Sequence, residues 1–255
     1  MKELDLKSFL DEKADRYNRI EFIDDDPIQI PHRFTLKQDR EISGFLAATI
    51  AWGNRKSIIK DAEKMLALMD HTPFDFVVNA TVKEIDSIPD GSVHRTFNSE
   101  DFKFFLRALQ RIYRQNDSME TLFLTEDEEF NFYHALERFR KVFLNDEAHR
   151  AMKHVSSTYK NSAAKRLMMF LRWMVRQDKK GVDFGIWKKL NPTHLSIPLD
   201  VHSGNIARQL GLLQRKQNDW KAVEELDVHL RRFNPTDPAV YDFALFGLGV
   251  SDDLQ

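Results

Sequence analysis

Lys165-Arg166-Leu167-Met168-Met169-Phe170-Leu171-Arg172-Trp173-Met174-Val175-Arg176 is the run whose reading decides the fold. Leu167, Met168, Phe170, Leu171, Met174 and Val175 cover most of the circumference of a helix, as in a buried element. At 3.6 residues per turn, Arg172 and Arg176 fall within about 20° of Lys165 around the axis, on a line roughly 16 Å long. Three cations on one line of an apolar helix predict burial on most sides and an opening toward something negative along the stripe. Downstream the chain passes Gly181 and Gly185 and reaches Ile197-Pro198-Leu199-Asp200-Val201-His202. Asp200 precedes Ile206, Leu210 and Leu213 at helical spacing, so it stands where an N-cap belongs, with Gly211 as the C-terminal break.

The same period recurs outward from this run. It predicts helices over 4–19, 36–51, 55–69, 102–113, 119–124, 130–143, 220–233 and 238–248, with 71–91 as irregular chain holding one short helix. No sustained alternation and no internal repeat occurs, so the fold class is all-α with roughly ten helices and a phenylalanine-rich core. Trp52-Gly53-Asn54 makes a sharp break between two helices, and Trp52 is either a core anchor or a flat platform for a base. Asp24-Asp25-Asp26 before Pro27 reads as a turn or cap, and no metal site is expected there. Asp183-Phe184-Gly185 resembles a kinase magnesium loop only superficially, because no glycine-rich loop or catalytic-loop motif accompanies it.

The chain has 255 residues, enough for one domain or a single unit of two lobes. The division expected is 46–195 for one lobe and 1–45 plus 196–255 for the other. With no cysteine, disulfides, thiolate metal sites and cysteine-ligated iron–sulfur clusters are excluded. No apolar run approaches the ~20 residues that span a bilayer, and the start, Met1-Lys2-Glu3-Leu4-Asp5, lacks the pattern of a signal peptide. A cytosolic protein without a membrane partner is expected. The net charge of −2 conceals an asymmetry: residues 151–216 hold 13 Lys and Arg against 3 Asp and Glu, and the remainder holds 25 against 37. Such a basic stretch points to an anionic partner, and a phosphate backbone is the anion that most commonly rewards it.

Lysine on a mostly buried face is costly to keep charged, and beside Arg166 the free amine of Lys165 would be favoured as a nucleophile. A carboxylate at Asp200, aimed into a cleft beside that helix, would stabilise a developing cation. Arg172 and Arg176 are then read as phosphate ligands, continued by Arg166, Lys179, Lys180, Lys188 and Lys189.

These residues resemble a family. Leu199-Asp200-Val201-His202, leading through Ile206, Ala207 and Arg208 to Leu210-Gly211-Leu212, is similar to the segment "V-D-T-H-V-x-R-V-x-x-R-L-G-L" of the helix-hairpin-helix DNA glycosylases. Ala47 to Asn54 stands where those enzymes carry "L-L-S-A-Q-A-T-D", and Tyr241 to Gly249 resembles their late glycine-bearing helix. The whole sequence looks like an uncharacterised bacterial family of that superfamily, with "K-R-L-x-M-F-L-R-W-M-V-R", "V-D-F-G-x-W" and "I-P-L-D-x-H" in its pattern. The resemblance implies a two-lobed helical fold with a cleft between the lobes. It also implies a substrate of double-stranded DNA carrying a damaged base, and excision of that base through Lys165 and Asp200 without a cofactor. Trp52, Asn54 and His202 would line the base pocket. The sequence departs from the usual pattern in its hairpin, since 155–164 contains no glycine where "L-P-G-V-G" is expected. The usual lysine position, eighteen residues before Asp200, falls on Val182, whereas Lys165 lies thirty-five before it. That spacing is nearer to the archaeal 8-oxoguanine DNA glycosylases, and Lys180 stands as the competing nucleophile.

Overall fold

Helical period dominates the structure, a computed structural model that describes residues 3–250; Met1 and Lys2 of the acidic start lie outside them. Among the described residues the α-helices are α1 Glu3–Tyr17, α2 Gln29–His32, α3 Lys37–Thr49, α4 Arg55–Ala67, α5 Pro73–Asn79, α6 Val82–Asp86, α7 Ser99–Tyr113, α8 Tyr133–Leu144, α9 Lys165–Val175, α10 Val201–Gln209, α11 Trp220–Phe233 and α12 Tyr241–Val250. The fold is mainly all-α, as its periodicity predicts. None of these helices is long and apolar enough to cross a membrane. The stretch 71–91 holds two short helices where one was expected, and 119–124 is a 3-10 turn, Met119–Phe123. A two-stranded antiparallel ribbon, β1 Ser92–His94 and β2 Phe97–Asn98, was not expected. Its turn uses Arg95 at φ 51° in the left-handed region, without the Asn-Gly or Asp-Gly pair that marks such turns in a sequence.

The chain divides into two compact units, one of residues 1–22, 125–134 and 157–255 and the other of 23–124 and 135–156. Position 45/46, expected as a boundary, falls inside α3, and 195/196 lies within the first unit. In the second unit the core is aromatic. Phe45 of α3 stacks on Phe105 of α7 at 5.6 Å and meets Phe139 and Phe143 of α8 edge-on at 5.6 and 5.3 Å. Glu41 is buried among these helices and is satisfied by Tyr113 Oη at 2.7 Å, Ser118 Oγ at 2.5 Å and the Met119 N–H at 3.0 Å. A buried carboxylate with three donors is tolerated where a bare one would not be. Asp26, last of the acidic triplet, is likewise buried and accepts the Ile28 N–H at 3.0 Å, the role of a local cap.

In the first unit α12 packs against both α1 and α10. Two glycines allow this. The ring of Tyr17 on α1 lies against Gly247, where a Cβ would meet its Cδ2 at 2.3 Å, and His202 on α10 lies against Gly249, where a Cβ would meet its Cβ at 2.9 Å. Tyr241 Oη donates to Asp11 Oδ1 at 2.7 Å and ties the other end of α12 to α1. Alanine is better than glycine in a helix by about 1 kcal/mol, yet overpacking a filled contact costs about 1–3 kcal/mol. Gly247→Ala is therefore expected to lower stability in urea unfolding; a variant more stable than the parent would show that Tyr17 moves aside freely.

Candidate active site

The segment that leads into α9 has an unusual backbone. Asn161 and Ala164 adopt φ of 60° and 47°, the left-handed region that glycine occupies without cost. For alanine this conformation costs roughly 1–2 kcal/mol, so its surroundings must hold it. The Ala164 N–H donates to Ser162 Oγ at 3.2 Å, and the Ala164 carbonyl accepts the Met168 N–H at 2.9 Å, which starts the helix one residue before Lys165. Asparagine and alanine thus make turns that glycine would make without strain.

One loop ties this segment to Asp200. Asn161 Nδ2 donates to Asp219 Oδ2 at 2.8 Å, and the Trp220 N–H donates to the Asn161 carbonyl at 3.1 Å. Asp219 also caps α11 through the Ala222 N–H, and the hydrogen-bonded Arg215 guanidinium holds its pKa down at about 2. The preceding residue, Asn218, donates to the Asp200 carbonyl at 2.7 Å and accepts from Arg208 at 2.6 Å, in the space left by Gly204.

Held from both sides, Lys165 Nζ lies 3.9 Å from Asp200 Oδ2. That is an ion pair longer than a hydrogen bond. Asp200 divides its two oxygens: Oδ1 accepts the Ser203 N–H at 3.0 Å and Ser203 Oγ at 3.2 Å, capping α10, while Oδ2 faces the lysine. Ser203 Oγ also accepts the Asp200 N–H at 3.0 Å, which completes a capping box. The cap and the partner of a lysine are one residue. The lysine side chain is 31% exposed and the aspartate 18%, so the pair is reachable from solvent.

The rest of the cationic stripe is not a phosphate surface. Arg172 and Arg176 are 4% and 1% exposed and turn inward onto carboxylates. Asp183 takes Arg172 Nε at 3.2 Å on one oxygen and Arg176 Nη1 at 3.0 Å on the other. Arg172 also binds Asp242, while Arg176 binds Asp237 at 2.9–3.0 Å and Asp178 at 2.8 Å. Both guanidinium groups lie over the Phe243 ring, at 4.5 and 5.2 Å. Burial opposes the charge of Arg176, but Asp183 and Asp237 raise its pKa above the ordinary value. The expected anion exists, but it is the protein's own. Asp183, from the run dismissed as a chance kinase-like match, is the centre of this network.

Of the other expected contacts, Lys179, Lys180, Lys188 and Lys189 are exposed. Lys180 Nζ pairs with Asp15 at 2.5 Å, which makes it an ordinary surface ion pair rather than a buried amine. Arg166 is partly buried, and burial lowers its pKa to about 10. His202 is exposed on the first turn of α10, with Nδ1 3.1 Å from the Gly249 carbonyl. Trp52 and Asn54 belong to the second unit. Trp52 is half-buried, stacked on His154 at 5.9 Å and meeting His94 edge-on at 5.1 Å. His94 in turn spans from the Trp52 carbonyl, 2.9 Å from Nε2, to Asp61, 2.8 Å from Nδ1. Asn54 caps α4 by accepting the Ser57 N–H at 3.2 Å. No group of His, Asp and Glu among the described residues could hold a metal ion.

Asp242 was not singled out by its sequence context. It is buried on the first turn of α12, and burial pushes its pKa from the usual 3.8 up to about 6, with Asp200 adding to the rise and Arg172 and Lys165 opposing it. It is thus electrostatically coupled to the lysine–aspartate pair. Since the folded value exceeds the unfolded one, Asp242 favours the fold fully below pH 4 and loses that contribution as pH rises through about 6. Asp242→Asn should flatten the fall in stability between pH 4 and 6 measured by denaturant titration, whatever its constant cost; an unchanged slope would refute the assignment.

Compared with known proteins, the chain matches the family model DUF2400, described as "Protein of unknown function", over residues 26–251. No curated protein and no solved structure matches it.

Proposed function

The chain belongs to the DUF2400 family, and we propose that it is a DNA base-excision glycosylase with Lys165 as nucleophile and Asp200 as its partner. Its substrate would be double-stranded DNA with a damaged base, 8-oxoguanine being the first lesion to test. The observation that carries this reading is the 3.9 Å approach of Lys165 Nζ to the Asp200 oxygen not used for capping. The absence of any Asp or Glu between Glu147 and Asp178 supports an anionic substrate on this side of the chain.

An ammonium cannot attack carbon, and a carboxylate this near needs only a small side-chain rotation to take its proton. The freed amine attacks C1′ of the sugar as the C1′–base bond breaks; the electron pair leaves with the base, which takes the proton that Asp200 had received and so restores the carboxylate. Asp200 then stabilises positive charge on the sugar. Opening of the C1′–O bond leaves a Schiff base, and removal of a 2′ proton expels the 3′ phosphate by β-elimination. Such a bond is out of reach inside a duplex, so the base must be extruded first. Exposed Lys179, Lys188 and Lys189 are candidates for phosphate contacts and His202 for contact with the base. The buried Arg172 and Arg176 are not.

The test is release of the base from duplexes carrying 8-oxoguanine, uracil, alkylated bases or an abasic site, with borohydride added to trap a covalent adduct. Lys165→Gln should abolish trapping. Asp200→Asn should slow it by about 10²–10⁴ while the fold stays intact, because asparagine caps helices about as well as aspartate. No released base and no adduct on any of these substrates would leave a nucleic-acid-binding protein without this chemistry.

A further inference from the structure

An aromatic ladder stands beside the turn that leads into α9. Trp220 lies 5.1 Å from Tyr133, and Tyr133 lies 5.3 Å from Tyr159, with tilts of 45° and 40° between successive rings. Trp220 is buried and Tyr133 half-buried, but the last ring is open: Tyr159 is 60% exposed. Exposed tyrosines usually swing freely. This one is fixed, with its Oη 2.8 Å from His134 Nδ1, and the His134 ring meets it edge-on at 5.6 Å. The backbone below is also pinned, since Thr158 Oγ1 donates to the Tyr133 carbonyl at 2.8 Å and the Asn161 N–H to the Thr158 carbonyl at 2.8 Å. The left-handed residues Asn161 and Ala164 then turn the chain into Lys165, six residues after Tyr159. With 60% of its surface exposed, the ring at the end of the ladder adds little to a core.

We propose that Tyr159, backed by Tyr133 and His134, is a stacking shelf for an unpaired base of the DNA strand that carries the lesion. The proposal rests on the nucleic-acid reading above and deepens it: the substrate would be recognised through an unstacked base as well as through its backbone. A fixed, exposed ring suits this task, since stacking on a pre-ordered aromatic is sequence-tolerant and loses little side-chain freedom on binding. Charge favours the same occupant. Tyr159, the exposed end of the ladder, lies on the acid-free stretch between Glu147 and Asp178, and exposed Lys160 and Lys221 directly follow Tyr159 and Trp220. An apolar or cationic partner would gain nothing from those lysines.

Binding to undamaged single strands separates this proposal from the chemistry. The probes are a fluorescently labelled oligothymidylate and a strand of equal length built from base-free tetrahydrofuran sugars, compared by anisotropy. Wild-type protein should bind the strand with bases about ten-fold more tightly, the equivalent of one stacked base. Tyr159→Ala should erase that difference and leave affinity for the base-free strand unchanged, whereas Tyr159→Phe, which keeps the ring, should retain most of it. Equal affinity of wild-type protein for the two strands, or a Tyr159→Ala variant that still prefers bases, would overturn the shelf even if base release is observed. Preference for a lysine-rich peptide over either strand, lost in Tyr159→Ala, would overturn it in favour of a protein partner. A base preference that depends on Tyr159 supports the shelf even if no lesion is excised.

Discussion

Two arginines, one on the last turn of α9 and one at its C-cap, are held by the two oxygens of one buried aspartate, Asp183, and much of the first unit is arranged around that pairing. A buried guanidinium is costly unless its charge and its donors are met, and removing one member of such a network costs about 3–5 kcal/mol. Asp237 and Asp242, at either end of the turn that opens α12, meet the donors that Asp183 leaves. The network therefore locks α9 to α12, and α12 through its glycines to α1 and α10. With α9 fixed along its length, the position of Lys165 at its first turn is fixed as well. The loop 218–220 does the same for Asp200, so the pair meets because two separate sets of hydrogen bonds bring its backbones together.

Some of this was legible in the residues alone. The helical period located most of the long helices, because burying one face leaves a regular mark on the sequence. Asp200 could be assigned to a helix N-terminus from the apolar residues that follow it, and the box with Ser203 completes that assignment. Its two oxygens divide the work: Oδ1 caps the helix and Oδ2 faces Lys165.

The failures are as informative. Helical geometry gave the direction of Arg172 and Arg176 around the axis but not their depth, and depth decides whether an arginine meets solvent or a buried acid. Their partners Asp237 and Asp242 lie more than sixty residues away in the chain, one before the turn that opens α12 and the other the lone charge on that helix. No local pattern announces such a pairing. The backbone before α9 was illegible for a different reason. Left-handed backbone is normally marked by glycine, but Asn161 and Ala164 adopt it under the constraint of surrounding hydrogen bonds, and composition cannot register a constraint of that kind.

A lysine held opposite a carboxylate by buried structure on both sides is organised before any ligand arrives, and this is the property that a Schiff-base nucleophile requires. Its most direct test is peptide mapping of the borohydride-trapped product with an abasic-site duplex: digestion followed by mass spectrometry identifies the lysine that carries the sugar remnant. The account predicts the modification on Lys165. A remnant on Lys180, or spread over Lys160, Lys179, Lys188 and Lys189 as on an ordinary basic surface, would contradict it.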